Sequence, residues 1–120
     1  MADPLGHLEG RTALVTGGGT GIGAAIARTF ADAGARVTIA GRRPEPLADV
    51  ADAHDAITAA PLDVTDEAAV TTLFADRGPF DIVVANAGAV ASAPATRTSL
   101  DQWRQLLDVN LTGTFLTLRE

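Results

Sequence analysis

The chain has 120 residues, enough for one domain, with 47 % hydrophobic and 20 % charged residues, ordinary values for a globular protein. It has no cysteine, which excludes disulfides and thiolate metal sites, and its longest apolar runs are too short to span a bilayer. The net charge is −6 and all nine basic residues are arginine, so nucleic acid is not an expected partner and any anionic ligand must be held by local positive groups.

Residues 1–10 read as a leader with little structure of its own. They lack an apolar stretch of signal-peptide type, and a cytoplasmic location is expected. Ala13-Leu14-Val15-Thr16 is a short apolar run that reads as a strand buried on both faces. From Gly21 the period changes to helical, with Ile22, Ala25, Ile26, Thr29 and Phe30 on one side and Gly34 as the stop. Arg36-Val37-Thr38-Ile39-Ala40 is the second strand, and residues 44–53 form a helix that tolerates Pro44 and Pro46 in its first turn. Residues 56–60 make a weaker third strand. Thr65 is placed to cap a third helix, with Asp66 and Glu67 in its first turn. Asp81-Ile82-Val83-Val84-Ala85 is the fourth strand. After a loop containing Pro94, Ser99 and Gln102 form a capping box for a helix running to the last residue. This alternation predicts an α/β fold: a doubly wound parallel sheet with helices on both faces and four βα units.

The segment Thr16-Gly17-Gly18-Gly19-Thr20-Gly21-Ile22-Gly23 lies between the first strand and the first helix. Free N–H groups at a helix start attract phosphate, and glycine lets the ligand reach them. Five glycines in seven positions exceed what a tight turn needs. The second strand ends in Gly41-Arg42-Arg43, where an NAD site commonly has an acid. Arginine there favours a 2′-phosphate and hence NADP over NAD, although two solvated surface arginines remain an open reading. Asp63, in Leu62-Asp63-Val64, can accept from an adenine amino group or serve as a turn residue. Asn86-Ala87-Gly88 offers a small-residue platform that Asn86 can brace. In the last helix Leu100, Trp103, Leu107, Asn110, Leu111 and Thr114 share a face, which predicts that Asn110 points at the sheet. A satisfied structural amide and an amide that holds a water near the reacting ring are equally compatible with that position. His7 and His54 are isolated and read as surface residues, and no cluster has metal-ligand spacing.

Together these residues resemble the classical short-chain dehydrogenase/reductase family over nearly the whole chain, from about Leu8 to Glu120. Its T-G-x-x-x-G-x-G motif matches Thr16 to Gly23, its N-A-G segment Asn86 to Gly88, its adenine-side acid Asp63, and its helix asparagine Asn110. The resemblance implies a Rossmann-type domain over residues 11–120 that binds NADP, with NAD second. It implies cofactor contacts at Gly17, Gly19, Thr20, Gly21, Ile22 and Gly23, and at Arg42, Asp63, Val64, Asn86, Ala87 and Gly88. Asn110 would belong to the catalytic set, keeping a proton-relay water in place. The implied reaction is hydride transfer between NADP(H) and a small-molecule carbonyl or secondary alcohol; many NADP-preferring members are 3-oxoacyl carrier-protein reductases or related ketone reductases. The resemblance also implies a homo-oligomer, often through the helix that begins at Ser99, and gives no role on a membrane. The family's Tyr-x-x-x-Lys pair has no counterpart, because the sequence contains neither residue type. The expectation is therefore a fragment, truncated in the Asn110 helix and inactive by itself, with residues from 91 to 96 bordering substrate. A non-catalytic dinucleotide-binding or regulatory module is the alternative. A Rossmann-like methyltransferase also uses a glycine-rich first turn, but would want an acid where Gly41-Arg42 stands.

Overall fold

The computed structural model describes residues 7–89 and 93–120. Four parallel strands, β1 (Thr12–Thr16), β2 (Arg36–Gly41), β3 (Ile57–Pro61) and β4 (Ile82–Val84), lie in the order β3-β2-β1-β4. The register pairs Leu14 with Thr38 on one side and with Val83 on the other. Parallel neighbours need crossovers, and these are α1 (Gly21–Asp32), α2 (Pro44–Asp52) and α3 (Glu67–Arg77). The order reverses direction beside β1, so the C-terminal ends of β1, β2 and β4 open onto a common crevice.

Side chains alternate across each strand, and the alternation builds two cores. Ala13, Val15, Val37, Ile39 and Ile57 meet α1 and α2 on one face. Leu14, Ala40 and Ala60 meet Val70 and Leu73 of α3 on the other, together with Leu116 of the last helix. The buried residues of α1 are Gly23, Ala24, Ala27 and Ala31, small enough to let its backbone lie close to the sheet. Gly34 ends that helix region at φ 101°, as its position predicts. Leu8 is not loose: its N–H donates to Ala33 O at 3.2 Å and its side chain packs on the first core.

Two local expectations need correction. The cap of α3 is Asp66, whose side chain accepts from Ala69 N at 3.1 Å, not Thr65. Thr65 is engaged by Asp63: its N–H and hydroxyl both donate to Asp63 Oδ1, at 2.9 and 2.7 Å, which leaves the next residue to cap. The last helix is also not continuous. The Ser99–Gln102 capping box opens α4 (Leu100–Leu107) as expected, but a π turn over Asp108–Thr112 separates it from α5 (Gly113–Arg119).

The face of this helix that meets the sheet is not the bulky apolar stripe. Gly113, Leu116 and Thr117 are buried, while Trp103 and Leu111 are 53 % and 65 % exposed. The reason is distance. A Cβ on Gly113 would stand 2.5 Å from Val64 Cγ2, so only the side with the smallest residue can approach. The stripe of Leu100, Trp103, Leu107, Leu111, Phe115 and Leu118 consequently faces outward.

Candidate functional site

The crevice is organised by Thr16, at the end of β1 and buried. Its Oγ1 accepts from Asn86 N and Ala87 N, each at 3.0 Å, and donates to Val84 O at 3.4 Å. Asn86 Nδ2 donates to Gly17 O at 3.3 Å, and Gly17 N donates to Ala40 O at 2.7 Å. The buried Thr16 hydroxyl and the Asn86 side-chain amide thus fix the loops after β1 and β4 against each other, and Gly17 N ties the first of them to β2. Asn86 acts as the brace that its position predicts.

Left-handed glycines shape the turn after β1: Gly17 at φ 66° and Gly21 at φ 54°. Close approach requires glycine at Gly18 and Gly23 and favours it at Gly19. A Cβ on Gly18 would lie 2.6 Å from Ile39 Cβ, and one on Gly19 would lie 3.1 Å from Leu47 N. On Gly23 it would overlap the carbonyl oxygen of Gly17 and stand 2.6 Å from Asn86 Nδ2. The turn is therefore pressed onto β2, α2 and the Asn86 loop, with no side chain between.

Beside it lies a cleft of about 190 Å³. Of the residues that sequence assigns to a ligand, Gly17, Gly19, Thr20, Arg42, Asp63, Val64, Ala87 and Gly88 line it. Gly21, Ile22, Gly23, Asn86 and Asn110 do not; Gly23 and Asn86 instead support the floor, and Ile22 stands 74 % exposed. The wall is completed by Gly41, Arg43, Pro46, Leu47, Leu62 and Val109. Arg43 was visible in sequence as half of an arginine pair. The apolar wall was not, because Leu47 and Val109 reach the cleft only through the packing of α2 and the π turn.

The charges are unevenly placed. Asp63 is held below the ordinary aspartate range, first by the Thr65 hydroxyl and then by the Thr65 N–H; burial opposes them, and the nearby Arg42 charge adds the smallest depression. Among the described residues its Oδ2 carries no hydrogen bond, so an ionised acceptor faces the cleft wall. Arg42 and Arg43 are exposed, and among the described residues neither forms an ion pair. Free main-chain amides, an apolar wall, one acceptor and two guanidiniums suit an elongated ligand with anionic groups at separate points.

Asn110 is exposed, not turned to the sheet. Its Oδ1 accepts from Ala89 N at 2.9 Å and its Nδ2 donates to Ala89 O at 2.8 Å, so the side chain clamps the loop after β4. Its own carbonyl accepts from the Thr114 hydroxyl at 3.0 Å. The structural reading of this amide is the one its bonds match. The expected substrate border lies partly outside the described residues, which omit 90–92; Pro94 opens a short exposed 3₁₀ turn, Ala95–Arg97. His54 is half-buried, 3.2 Å from Asp32 and accepting from Ala56 N at 3.1 Å, so it is a local brace and not a free surface residue. Among the described residues no three His, Cys, Asp or Glu side chains could hold a metal, and no helix is long and apolar enough to cross a membrane.

A family model described as short chain dehydrogenase matches residues 11–120. An NADP-dependent (R)-specific alcohol dehydrogenase of Lentilactobacillus kefiri is 42 % identical over 120 residues, covering 94 % of this chain and 48 % of the relative. An uncharacterised oxidoreductase of Staphylococcus aureus strain MW2 is 38 % identical over 118 residues, covering 93 % of this chain and 51 % of the relative. Among solved structures, a short chain dehydrogenase/reductase family protein superposes with a TM-score of 0.87 at 37 % identity, covering 93 % of this chain and 48 % of that one. A short chain dehydrogenase from Bacillus anthracis superposes at 0.83 with 28 % identity, covering 91 % and 48 %. The chain spans about half the length of the curated relatives it matches.

Proposed function

The chain belongs to the short chain dehydrogenase family, and from that premise we propose that it forms the NADP-binding part of an oxidoreductase acting on a carbonyl or secondary alcohol. The observation that carries the reading is the glycine floor. Gly17 and Gly19 line the cleft without side chains, Gly23 packs tightly behind them on Gly17 and Asn86, and Arg42 lines the same cleft. The donor set fits a dinucleotide: amides of the turn for the pyrophosphate, Asp63 for the adenine amino group, Arg42 for the 2′-phosphate, and Ala87 and Gly88 as the bed for the ribose and ring. Gly21 and Ile22 sit at the start of α1, where its dipole favours the same phosphates. The binding domain is residues 11–120, with residues 1–10 as a leader anchored at Leu8.

When bound, the nicotinamide supplies or takes up the hydride. The residues of this chain position it. Thr16 and Asn86 hold the floor, Val64 and Leu62 exclude water from the adenine side, and Asn110 fixes the loop that carries Gly88. Asn110 thus serves the chemistry by position, and its part there is to keep a proton-relay water in place beside the loop that it clamps. The chain has no tyrosine or lysine, so it contributes neither as a proton donor. The exposed stripe on α4 and α5 is the surface through which the protein associates with a second copy. The reading places it in the cytoplasm. Two experiments test the function. Calorimetric titration of this chain with NADPH, NADH and S-adenosylmethionine should rank NADPH first. The complete gene product should oxidise NADPH in the presence of a ketone. Preference for S-adenosylmethionine would overturn the fit, and tight NADPH binding by a complete gene product inert toward every ketone and alcohol would favour a non-catalytic module.

A further inference from the structure

We infer that Arg77 guards the open edge of the sheet: its guanidinium covers the Ala59 carbonyl and so keeps β3 from pairing with β3 of a second copy. The inference is independent of the cofactor reading. In the order β3-β2-β1-β4 the strand β3 is outermost, and among the described residues no strand lies beyond it. Such a strand presents its outward N–H and C=O groups to any chain able to pair. The ladder identifies these groups. Val37 N–H donates to Ala56 O and Leu62 N–H donates to Gly41 O, each at 2.9 Å, so the even residues from 56 to 62 turn to β2. Main-chain groups alternate in direction along a strand, so Ile57, Ala59 and Pro61 turn outward.

Antiparallel addition works through residues that exchange both bonds with one partner. None of these three keeps both groups. The N–H of Ile57 donates to His54 O at 3.1 Å. Pro61 has no N–H, a common defence of edge strands. Ala59, between them, keeps its N–H, but its carbonyl is met by Arg77. The Nη2 of that residue donates to Ala59 O and its Nη1 to the Thr58 hydroxyl, both at 3.5 Å. Bonds of that length are weak, so the block is chiefly one of charge and bulk: a guanidinium seated on the edge must be displaced before a strand can approach. Arg77 is exposed and, among the described residues, forms no ion pair, so no carboxylate draws it away. It is the last residue of α3, and the helix fixes where its side chain starts. The losses at Ile57 and Pro61 belong to the main chain. The loss at Ala59 belongs to a side chain, and one substitution removes it.

Amide exchange measured by NMR at low and high protein concentration tests the guard in wild type, Arg77→Lys, Arg77→Ala, and Arg77→Ala combined with Pro61→Val. Thermal melts check folding, and exposed Arg77 should tolerate both replacements. The reporter is Ala59 N–H, which lies on the sheet edge, so association through the outer stripe of α4 and α5 leaves it exchanging. In wild type and Arg77→Lys its rate should not depend on concentration, because both keep a positive charge on the edge. Arg77→Ala gives Ala59 both groups and should slow its exchange about twofold at high concentration. Adding Pro61→Val lets positions 59 and 61 of two copies exchange bonds about a two-fold axis, and should slow exchange about tenfold or more, with a rise in mass by light scattering. A concentration dependence already present in wild type would overturn the inference. So would its absence in Arg77→Ala, whatever the double variant does.

Discussion

Replacing Gly23 with alanine tests the glycine floor at its tightest point. The new methyl group would overlap Gly17 O and lie 2.6 Å from Asn86 Nδ2, both of them parts of the cleft floor. Alanine in a helix is worth about 1 kcal/mol over glycine, so propensity alone predicts a more stable protein. Against this stands overpacking of about 1–3 kcal/mol. The Asn86 Nδ2 to Gly17 O bond, 3.3 Å long, would also be displaced, at a further cost of about 1 kcal/mol. The balance is a net loss of about 1–3 kcal/mol, which in a domain of this size lowers Tm by roughly 4 °C per kcal/mol. Because relief requires Gly17 to move, dinucleotide affinity should fall by more than about tenfold, equivalent to ~1.4 kcal/mol of binding. Gly10→Ala is the control. Its φ of 78° is left-handed but a Cβ meets nothing within 4 Å, so it should cost about 1 kcal/mol of stability with binding unchanged. Thermal denaturation with NADPH titration reads both quantities. Gly23→Ala that melts and binds like wild type would refute the reasoning.

Other perturbations address other parts of the cleft. A Cβ on Gly41 meets only Leu47, at 3.6 Å and beyond, so Gly41→Asp should fold normally and shift the ratio of NADPH to NADH affinity by about tenfold or more toward NADH; an unchanged ratio counts against a 2′-phosphate at this end. Arg42→Ala should weaken NADPH far more than NADH, and equal losses would contradict the assignment. Asp63 is depressed in the folded state, so its ionised form adds stability above the ordinary value of 3.8, and that stability is lost as pH falls below it. Thr65→Ala removes the largest cause, and its deficit in urea unfolding should be constant from about pH 5 to 7 and shrink below about pH 4; a deficit that does not change with pH would exclude the carboxylate. Leu111→Arg with Phe115→Arg should leave the melt intact, since both side chains are more than half exposed, and should reduce the size seen by light scattering. An unchanged mass would remove the outer stripe as an association surface.

Much of this was legible from sequence, for identifiable reasons. Strands buried on both faces show as unbroken apolar runs, and Ala13-Leu14-Val15-Thr16 and Arg36-Val37-Thr38-Ile39-Ala40 are the cores of β1 and β2. Gly34 and the Ser99–Gln102 pair are local signals whose physics is complete within four residues. What failed was what depends on a distant partner. Thr65 has the chemistry of a cap, but Asp63 competes for it and wins through two bonds, at 2.9 and 2.7 Å. The apolar stripe has the periodicity of a buried face, but Gly113 packs against Val64 and turns the stripe outward. Periodicity identifies a stripe but not what it faces, and the π turn lies outside a 3.6-residue reading altogether. Within the cleft, polar residues at strand ends are legible because they interrupt apolar runs. Leu47, Leu62 and Val109 interrupt nothing.

The central claim is that the bare main-chain amides after Gly17, up to the start of α1, receive a pyrophosphate. Nitrogen-15 amide spectra of the chain titrated with NADP test it most directly. The account predicts saturable shifts largest at Gly19, Thr20 and Gly21, accompanied by Ala87 and Gly88 and by the Arg42 and Arg43 side-chain signals. Saturable shifts confined to another surface, with these amides unmoved, would contradict it.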